Sequence, residues 1–317
     1  MTILWATGFE MGEVPLQGTY YSAGTVVSAT QKHTGVYSLF ANTMARFLVD
    51  GSPSDLYVAV WYRQLNAGCA PYVRVHLDSG EYVDLRYDKV ANTWDAYVNG
   101  GKVADGSVVC NASTWTHLQI HFSIADAGGI SSKVDGQADI TYSGDTKPST
   151  SAIIDWVELG GNNQNYYDDF IVQTGGWPGD VRFDVCKPNA DTATEQWSRS
   201  AGADSYALID EVPPSDADYI YSEANGQQTL VEVEDWDATD KTAVAVVSWL
   251  RAWKDPASTQ QVKQLLKSGA TLDTSAAKDL LTSAGYEYEI YETDPATSAA
   301  WTDGGIDGMQ IGVESVI

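Results

Sequence analysis

The stretch WTHLQIHFSI, residues 115–124, alternates apolar and polar side chains over its whole length. Leu118, Ile120, Phe122 and Ile124 fall on one side of an extended chain, and polar or histidine side chains fall on the other. A period of two residues is typical of a half-buried β-strand. The stretch therefore predicts a strand with one face against a core.

Turn signals divide the sequence that follows into pieces of strand length. They are GG at 128–129, VDG at 134–136 and SGDT at 143–146, and after them come IIDWVELGG at 153–161 and YYDDFIVQT at 166–174. Glycine and Asp-Gly breaks between apolar runs indicate antiparallel strands joined by tight turns. This region predicts the second half of an antiparallel β-sandwich, with YYDDFIV as the strand that closes it.

The earlier part of the chain repeats the same pattern. LYVAVWYR at 56–63 is apolar on both faces, as expected of a central strand, whereas PYVRVHL at 71–77 alternates. EYVDLRY at 81–87 follows a turn, and Asn99-Gly100 is a hairpin signal. Short strands separated by regular turns favour a sandwich over a parallel α/β sheet.

Residues 174–180, TGGWPGD, combine glycines and a proline without a strand pattern. Such segments commonly separate domains. We therefore expect an antiparallel β-sandwich over 1–175, a linker at 176–180 and a smaller β-rich sandwich domain over 181–317.

Several segments of the second domain have ambiguous patterns. TAVAVVSWLRAWKD at 242–255 is rich in β-branched residues and predicts a strand. QVKQLLKSG at 261–269 and AAKDLLTSAG at 276–285 fit either a strand or a short helix. YEYEIYETDP at 286–295 alternates with glutamate and predicts an exposed or edge strand. The fold class expected for the whole chain is all-β.

Composition excludes several classes of partner. The formal net charge of -25 and the pI near 4.2 argue against nucleic acid and anionic membrane surfaces, which attract clustered cations. Three cysteines without a CxxC spacing indicate no disulfide framework. The stretch MTILWATGFE has no basic region and no apolar core of the length typical of a signal peptide, and no apolar run in the sequence reaches 18 residues. We therefore expect synthesis in a cytoplasm and no membrane insertion.

Residues 2–174 resemble the laminin G-like, concanavalin A-like jelly-roll modules of structural proteins from tailed bacteriophages. The motifs behind this resemblance are GFEMG, HTGVYSLFAN, WTHLQIHFSI, VDG, SGDT and YYDDFIV, taken in that order. Residues 179–317 are similar to a domain that follows such jelly rolls in phage proteins. That likeness runs through VRFDVCKPNADTATEQW, SYALIDEVPPSDADYIYS and DPATSAAWTDGGIDGMQIG.

The resemblance implies a non-enzymatic virion protein that decorates the capsid or head surface. It implies assembly with a major capsid or tail protein, a homo-oligomer and adhesion to a host-surface glycan. A tail or baseplate adhesion protein, an extracellular carbohydrate-binding module and a glycoside hydrolase are the alternatives.

The first and last strands commonly lie side by side in the jelly rolls that this chain resembles. That arrangement would bring Glu10 near Asp168 or Asp169, and carboxylate oxygens are ligands that calcium prefers. Because neighbouring residues of a strand point to opposite faces, only one of the two aspartates is expected to join Glu10. A turn cap and a solvated side chain are the alternative. His117 and His121 share a strand face but lie about 13 Å apart, too far for one zinc ion.

Five aromatic residues are candidates for stacking on a sugar or for a subunit contact. They are Trp115, Trp156, Trp177, Tyr166 and Tyr167. Packing in the core is the alternative for each of them.

The closest local pair of carboxylates for glycoside hydrolysis is Glu232 and Glu234. On one strand face they would lie about 7 Å apart, within the range that glycosidases use. The run VEVEDWD equally fits an acidic edge strand, which is the interpretation that the sequence favours.

Overall fold

The computed structural model describes residues 1–13, 19–255 and 259–317. It confirms the prediction of an all-β chain. The chain divides into two compact units between Phe183 and Asp184. Among the described residues, no helix combines the length and the apolar character that crossing a bilayer requires.

The described part of the first unit is built from antiparallel strands with short connections. These strands are β1 Thr2–Thr7, β2 Thr19–Tyr21, β3 Thr25–Ser28, β4 Ser38–Ala41, β5 Met44–Leu48, β6 Asp55–Gln64, β7 Ala70–Leu77, β8 Tyr82–Asp88, β9 Thr93–Val98, β10 Gly101–Asp105, β11 Thr116–Ser123, β12 Gly128–Val134, β13 Gln137–Gly144, β14 Ile154–Asn162 and β15 Asn165–Thr174. They form two sheets, an eight-stranded one and a seven-stranded one.

The eight-stranded sheet has the order β13-β12-β11-β6-β15-β4-β3, and β1 also pairs with β15. The seven-stranded sheet has the order β10-β9-β8-β7-β14-β5-β2. Neighbours that are distant in sequence, such as β6 and β15, give the unit its jelly-roll topology. The first and last strands do lie side by side, as expected.

Aromatic contacts between the sheets define the core of the sandwich. Phe47 on β5 packs against Phe170 on β15 with ring centroids 4.8 Å apart. Tyr62 on β6 meets Trp94 on β9 edge-on at 4.9 Å, and the indole nitrogen of Trp94 donates a hydrogen bond to the tyrosine hydroxyl at 2.9 Å. All four rings are buried. These contacts place one face of each sheet against the other.

The stretch 115–124 contributes β11, which lies between β6 and β12. Its apolar residues, Leu118, Ile120, Phe122 and Ile124, are all buried. The predicted strand and its predicted inward face are therefore confirmed. The strand YYDDFIV, expected to close the sandwich, is β15, and it lies inside its sheet with neighbours on both sides.

Residues 176–180, predicted as a linker, make specific contacts within the first unit. The backbone amide of Gly179 donates to the side-chain oxygen of Gln119 at 2.9 Å. The indole of Trp61 donates to Oδ1 of Asp180 at 3.1 Å. This segment is therefore held against the outward face of the eight-stranded sheet.

The second unit is also built from strands. They are β16 Pro188–Glu195, β17 Ser198–Arg199, β18 Ile220–Tyr221, β19 Gln228–Val233, β20 Val246–Ala252, β21 Gln261–Ser268, β22 Thr271–Thr274, β23 Lys278–Asp279, β24 Gly285–Tyr291 and β25 Gln310–Val316. A 3₁₀ turn spans Tyr206–Leu208, and a short helix, α1, spans Asp303–Asp307.

The main sheet of the second unit has the order β16-β19-β25-β21-β22, with β23 also paired to β21. Strands β17–β18 and β20–β24 form two smaller sheets. Tyr291 of β24 packs into one buried cluster with Val233 and Leu266 of the main sheet and with Trp301. The unit is therefore a small layered β structure. The strand predicted within 242–255 is confirmed as β20, and the ambiguous segment 261–269 is the strand β21.

Candidate functional site

A row of four charged side chains and one tyrosine crosses the outward face of the seven-stranded sheet. Arg46 on β5 lies opposite Glu158 on β14, which lies opposite Arg74 on β7. Arg74 in turn lies opposite Asp84 on β8, and Asp84 lies opposite Tyr97 on β9. We call these five residues the arginine row. Its members share one face because apolar residues at the alternate positions of each strand point into the core.

Glu158 binds the cationic groups on both of its sides. Its Oε2 accepts from Nε of Arg46 and lies 2.9 Å from Nε2 of His76. Its Oε1 accepts from Nη1 of Arg74 at 3.5 Å. Burial raises the pKa of Glu158, but the hydrogen bonds from His76, Tyr72 and Arg46 outweigh burial and hold that pKa at about 2. Glu158 is therefore a permanent anion at neutral pH.

Asp84 holds two arginines with a single oxygen. Its Oδ2 accepts from Nε and Nη2 of Arg74, at 3.0 and 2.7 Å, and from Nε of Arg86 at 2.9 Å. Burial alone would lower the pKa of Arg86, but its hydrogen bond and charge interaction with Asp84 raise that pKa overall. Paired guanidinium donors of this kind fix the plane of the cation as well as its position.

Aromatic rings lie beside the row and at its β9 end. The guanidinium of Arg74 lies over Tyr82 at 4.1 Å and over Tyr72 at 4.6 Å, and that of Arg86 lies over Tyr97 at 4.4 Å. Cation–π contacts add to the ion pairs in holding the arginines flat against the sheet. Trp156 lies opposite His76 in the next row of the same face and is half-buried.

Gly160 makes room for one of these rings. A Cβ atom at this position would lie 2.5 Å from the ring carbon that carries the hydroxyl of Tyr72. Because Gly160 has no side chain, the ring of Tyr72 can lie across the strand at this position. Burial is the main cause of a raised pKa at Tyr72, so its hydroxyl stays protonated at neutral pH.

The two signs of charge differ in their accessibility. The side chains of Glu158 and Asp84 are 1% and 0% exposed, whereas those of Arg46, Arg74 and Arg86 are 31%, 18% and 33% exposed. A molecule that approaches this face therefore meets guanidinium groups and aromatic rings, with the carboxylates beneath them. Such a surface donates hydrogen bonds to oxygen acceptors and offers flat apolar rings for stacking.

The predicted metal ligands come together in the other sheet, where they bind protein donors. Both oxygens of Glu10 accept from backbone amides, those of Val36 and Tyr37, at 2.9 and 3.3 Å. Asp168 accepts from the amide of His33 at 2.7 Å, and Asp169 lies 2.8 Å from Nδ1 of the same histidine. These three carboxylates anchor the loop between β3 and β4.

The expectation that Asp168 and Asp169 point to opposite faces is wrong. The pairing of β15 with β6 shifts between Asp168 and Ile171, and Asp169 has a φ of 47°. This β-bulge turns both carboxylates toward the same loop. Burial and the charge of Asp169 raise the pKa of Asp168 to about 8. Among the described residues, no three His, Cys, Asp or Glu side chains are grouped as metal ligands, so calcium binding stays a prediction.

The five predicted aromatic contacts do not form one site. Tyr167 is fully buried in the core, where its hydroxyl donates to the carbonyl of Gly160 at 2.5 Å, and Tyr166 is buried against Phe40. Neither side chain is therefore exposed for a sugar. Of the three tryptophans, Trp156 alone lies on the face of the arginine row.

Trp115 and Trp177 lie on the outward face of the eight-stranded sheet with three histidines. His33 stacks on Trp61 at 3.8 Å and lies 5.7 Å from Trp115, and Trp177 meets Tyr57 edge-on at 5.3 Å. His117 and His121 stack on different rings, those of Trp61 and Tyr57. The histidines therefore serve in aromatic packing on this face.

The carboxylates of Glu232 and Glu234 are exposed in the second unit. Glu232 lies in β19, whereas Glu234 follows the strand and accepts from the amide of Lys187 at 3.3 Å. The two side chains are acidic and exposed, but the prediction of an edge strand is wrong, because β19 lies between β16 and β25.

The arginine row is the feature that sequence reasoning missed. Its local signal is present, because VRVHL, YVDLRY and WVELGG each alternate charged with apolar residues. What the sequence does not give is the strand order β5-β14-β7-β8, which brings these separate alternations into one line.

Comparison with known proteins gives only remote similarities. No protein-family model and no curated protein matches the chain. Among solved structures, cellulose induced protein Cip1 is 14% identical with a TM-score of 0.38, covering 54% of this chain and 97% of that one. Carbohydrate binding module CBM66 from Bacillus subtilis is 12% identical with a TM-score of 0.37, covering 50% and 96%.

An endo-β-1,4-glucuronan lyase from the fungus Trichoderma reesei is 13% identical with a TM-score of 0.38, covering 52% of this chain and 94% of that one. Similarities at this level carry no argument about function.

Proposed function

We propose that this protein is a non-enzymatic virion protein that binds glycans on the outward face of the seven-stranded sheet. The observation that carries the binding function is the arginine row, with Tyr72, Tyr82 and Trp156 around it. Sugars are recognised by planar polar groups that bind hydroxyl and ring oxygens, combined with aromatic rings that cover the apolar face of a pyranose. This face offers both kinds of group on a rigid sheet.

The ionisation of the face supports binding without hydrolysis. A glycosidase needs a carboxyl group whose raised pKa lets it act as an acid, next to a second carboxylate. The pKa of Glu158 is instead lowered to about 2, and Asp84 is bound by two arginines. Neither group on this face is suited to protonate a leaving oxygen.

The virion role rests on the sequence resemblance to tailed-phage jelly-roll proteins. In that role the protein decorates the capsid or head surface, or alternatively the tail or baseplate, and assembles as a homo-oligomer with a major capsid or tail protein. Sedimentation should show a multimer of the isolated chain, and genes for capsid or tail proteins should lie beside its own. A monomer from a locus without such genes would favour an extracellular carbohydrate-binding module instead.

A glycan array followed by calorimetry tests the binding function. Trp156→Ala and Tyr82→Ala should each weaken binding about fivefold, because each removes a stacking ring worth roughly 1 kcal/mol. Trp115→Ala on the other sheet is the matched control and should bind as the wild type does. Absence of binding to every glycan, or an equal loss in the control, would overturn the proposal.

A further inference from the structure

We infer that the ligand of this face is an anionic polysaccharide, whose carboxylate or sulfate groups bind Arg46, Arg74 and Arg86. This inference rests on the proposed function, since it names the ligand class of the same site. Three of the chain's seven arginines lie here, although the formal net charge of the chain is -25. An acidic protein does not need a cluster of cations for solubility, so this cluster indicates a binding role.

The local balance of charge favours an anion. Three arginines share ion pairs with two carboxylates, Glu158 and Asp84, which leaves one excess positive charge among these five groups. Asp95 lies opposite Arg86 on β9, but its ion pair is with Lys102. Lys102 lies toward the sheet edge, where Asp95 and Asp105 already bind it at the outer strands. The excess is therefore concentrated at the arginines, near the middle of the sheet.

Accessibility points in the same direction. Because the carboxylates are buried and the guanidinium groups are partly exposed, an approaching anion meets the cations and is shielded from direct contact with the anions. The buried oxygens also fix the planes of the guanidinium groups before a ligand arrives. Preorganised guanidinium forks suit the planar, two-oxygen geometry of a carboxylate, and they equally suit sulfate.

The aromatic neighbours favour a polysaccharide over an isolated anion. Tyr82 and Trp156 lie one row away from Arg74 and Glu158, and rows on one strand face are spaced about 7 Å apart. An acidic group on one sugar can therefore lie at the arginines while a neighbouring sugar covers a ring. A polymer bearing regularly spaced acidic groups satisfies both contacts at once.

Matched polymers test the inference. Calorimetry with polygalacturonate and with its fully methyl-esterified form compares one backbone with and without charge, and dextran sulfate with dextran repeats the comparison for sulfate. The full chain should bind at least one acidic polymer, at least tenfold more tightly than its neutral partner. Its affinity for the acid should fall as sodium chloride rises, because salt screens exposed charges.

Two substitutions that each remove one positive charge test whether binding of the acidic polymer depends on this face. Arg86→Gln should weaken binding of the acidic polymer about ten- to a hundredfold, since it removes a charge-assisted contact. Arg182→Gln changes an exposed arginine that lies over Trp61 of the other sheet, and it should leave binding unchanged. Thermal melting of both variants confirms that each is folded.

The outcomes separate this inference from the proposed function. Equal binding of acidic and neutral polymers, or binding of neutral glycans alone, overturns the anionic ligand and leaves glycan binding in place. Binding of no polysaccharide overturns both. Tighter binding of single-stranded DNA than of any polysaccharide also overturns the inference, because it identifies a general polyanion site.

Discussion

Arg74 and Asp84 lie directly opposite each other on β7 and β8, and Nη2 of the arginine donates to Oδ2 of the aspartate at 2.7 Å. The same oxygen also holds Arg86. One buried carboxylate thus orients two guanidinium groups on the face that we propose binds glycans. Stability and recognition are coupled at this residue, because removing it takes an anchoring oxygen from both arginines at once.

Asp84→Asn should lower the free energy of unfolding by about 2–3 kcal/mol. Removing one partner of a buried ion pair leaves the other charge uncompensated, at a cost of about 3–5 kcal/mol, and the partial exposure of the two arginines reduces that cost. Urea unfolding measures the change. Asp78→Asn, an exposed aspartate at the turn that follows β7, is the matched control and should change stability by less than about 0.5 kcal/mol. Equal effects of the two variants would contradict the anchoring role.

Glu158 should make the protein less stable in acid. Its pKa is about 2 in the folded protein and close to 4.5 when it is unfolded, so between these values the unfolded chain binds more protons. The stabilisation is present above pH 4.5 and is lost as pH falls toward 2, with a total of roughly 2–4 kcal/mol. Urea unfolding at several pH values in this window should give a smaller slope for Glu158→Gln than for the wild type. An unchanged slope would mean that the carboxylate is not held by its neighbours.

The alternation of residues 115–124 was sufficient to predict β11 and its buried face, because a period of two has one structural explanation. The segment 261–269 was ambiguous, since β21 pairs on both sides and buries adjacent residues Leu265 and Leu266. In a strand that is buried on both faces, apolar residues no longer alternate with polar ones, so its sequence pattern resembles that of a buried helix. Local pattern is therefore informative only where one face of a strand stays polar.

The candidate site was beyond the reach of sequence reasoning for a different reason. Arg46 and Glu158 are separated by more than a hundred residues, and only the order of strands in the sheet joins them. The bulge at Asp168 and Asp169 has the same origin, because the contacts to His33 and Thr34 that accompany the left-handed conformation of Asp169 come from a distant loop. Pairings that are distant in sequence decide both features.

Asp168 should give the opposite pH dependence to Glu158. Its folded pKa of about 8 lies far above the usual value of 3.8, so between these values the folded protein binds more protons than the unfolded chain. Its contribution to stability is therefore present below about pH 4 and declines as pH rises through 8. In a metal-free buffer, the free energy of unfolding should fall less steeply between pH 5 and 8 in Asp168→Asn than in the wild type. The variant has no carboxyl group at this position to titrate across the window. A wild-type slope in the variant would show that another group titrates.

Calcium should stabilise the first unit if it binds Glu10 with Asp168 or Asp169. The three side chains are buried together, and the charge of Asp169 contributes to the raised pKa of both Glu10 and Asp168. A bound divalent cation would relieve this repulsion. At a hundredfold excess over its dissociation constant, a ligand of the folded state adds about 2.7 kcal/mol, which corresponds to a rise in melting temperature of about 5 °C or more.

Differential scanning calorimetry in calcium and in chelator measures this rise. Asp169→Asn should abolish it, whereas Asp126→Asn, which removes an exposed carboxylate of the same unit, should retain it. Equal melting temperatures of the wild type in calcium and in chelator would exclude the site. In that case the three carboxylates act only through the hydrogen bonds that hold the loop between β3 and β4, and Asp169→Asn would lower the melting temperature equally in both buffers.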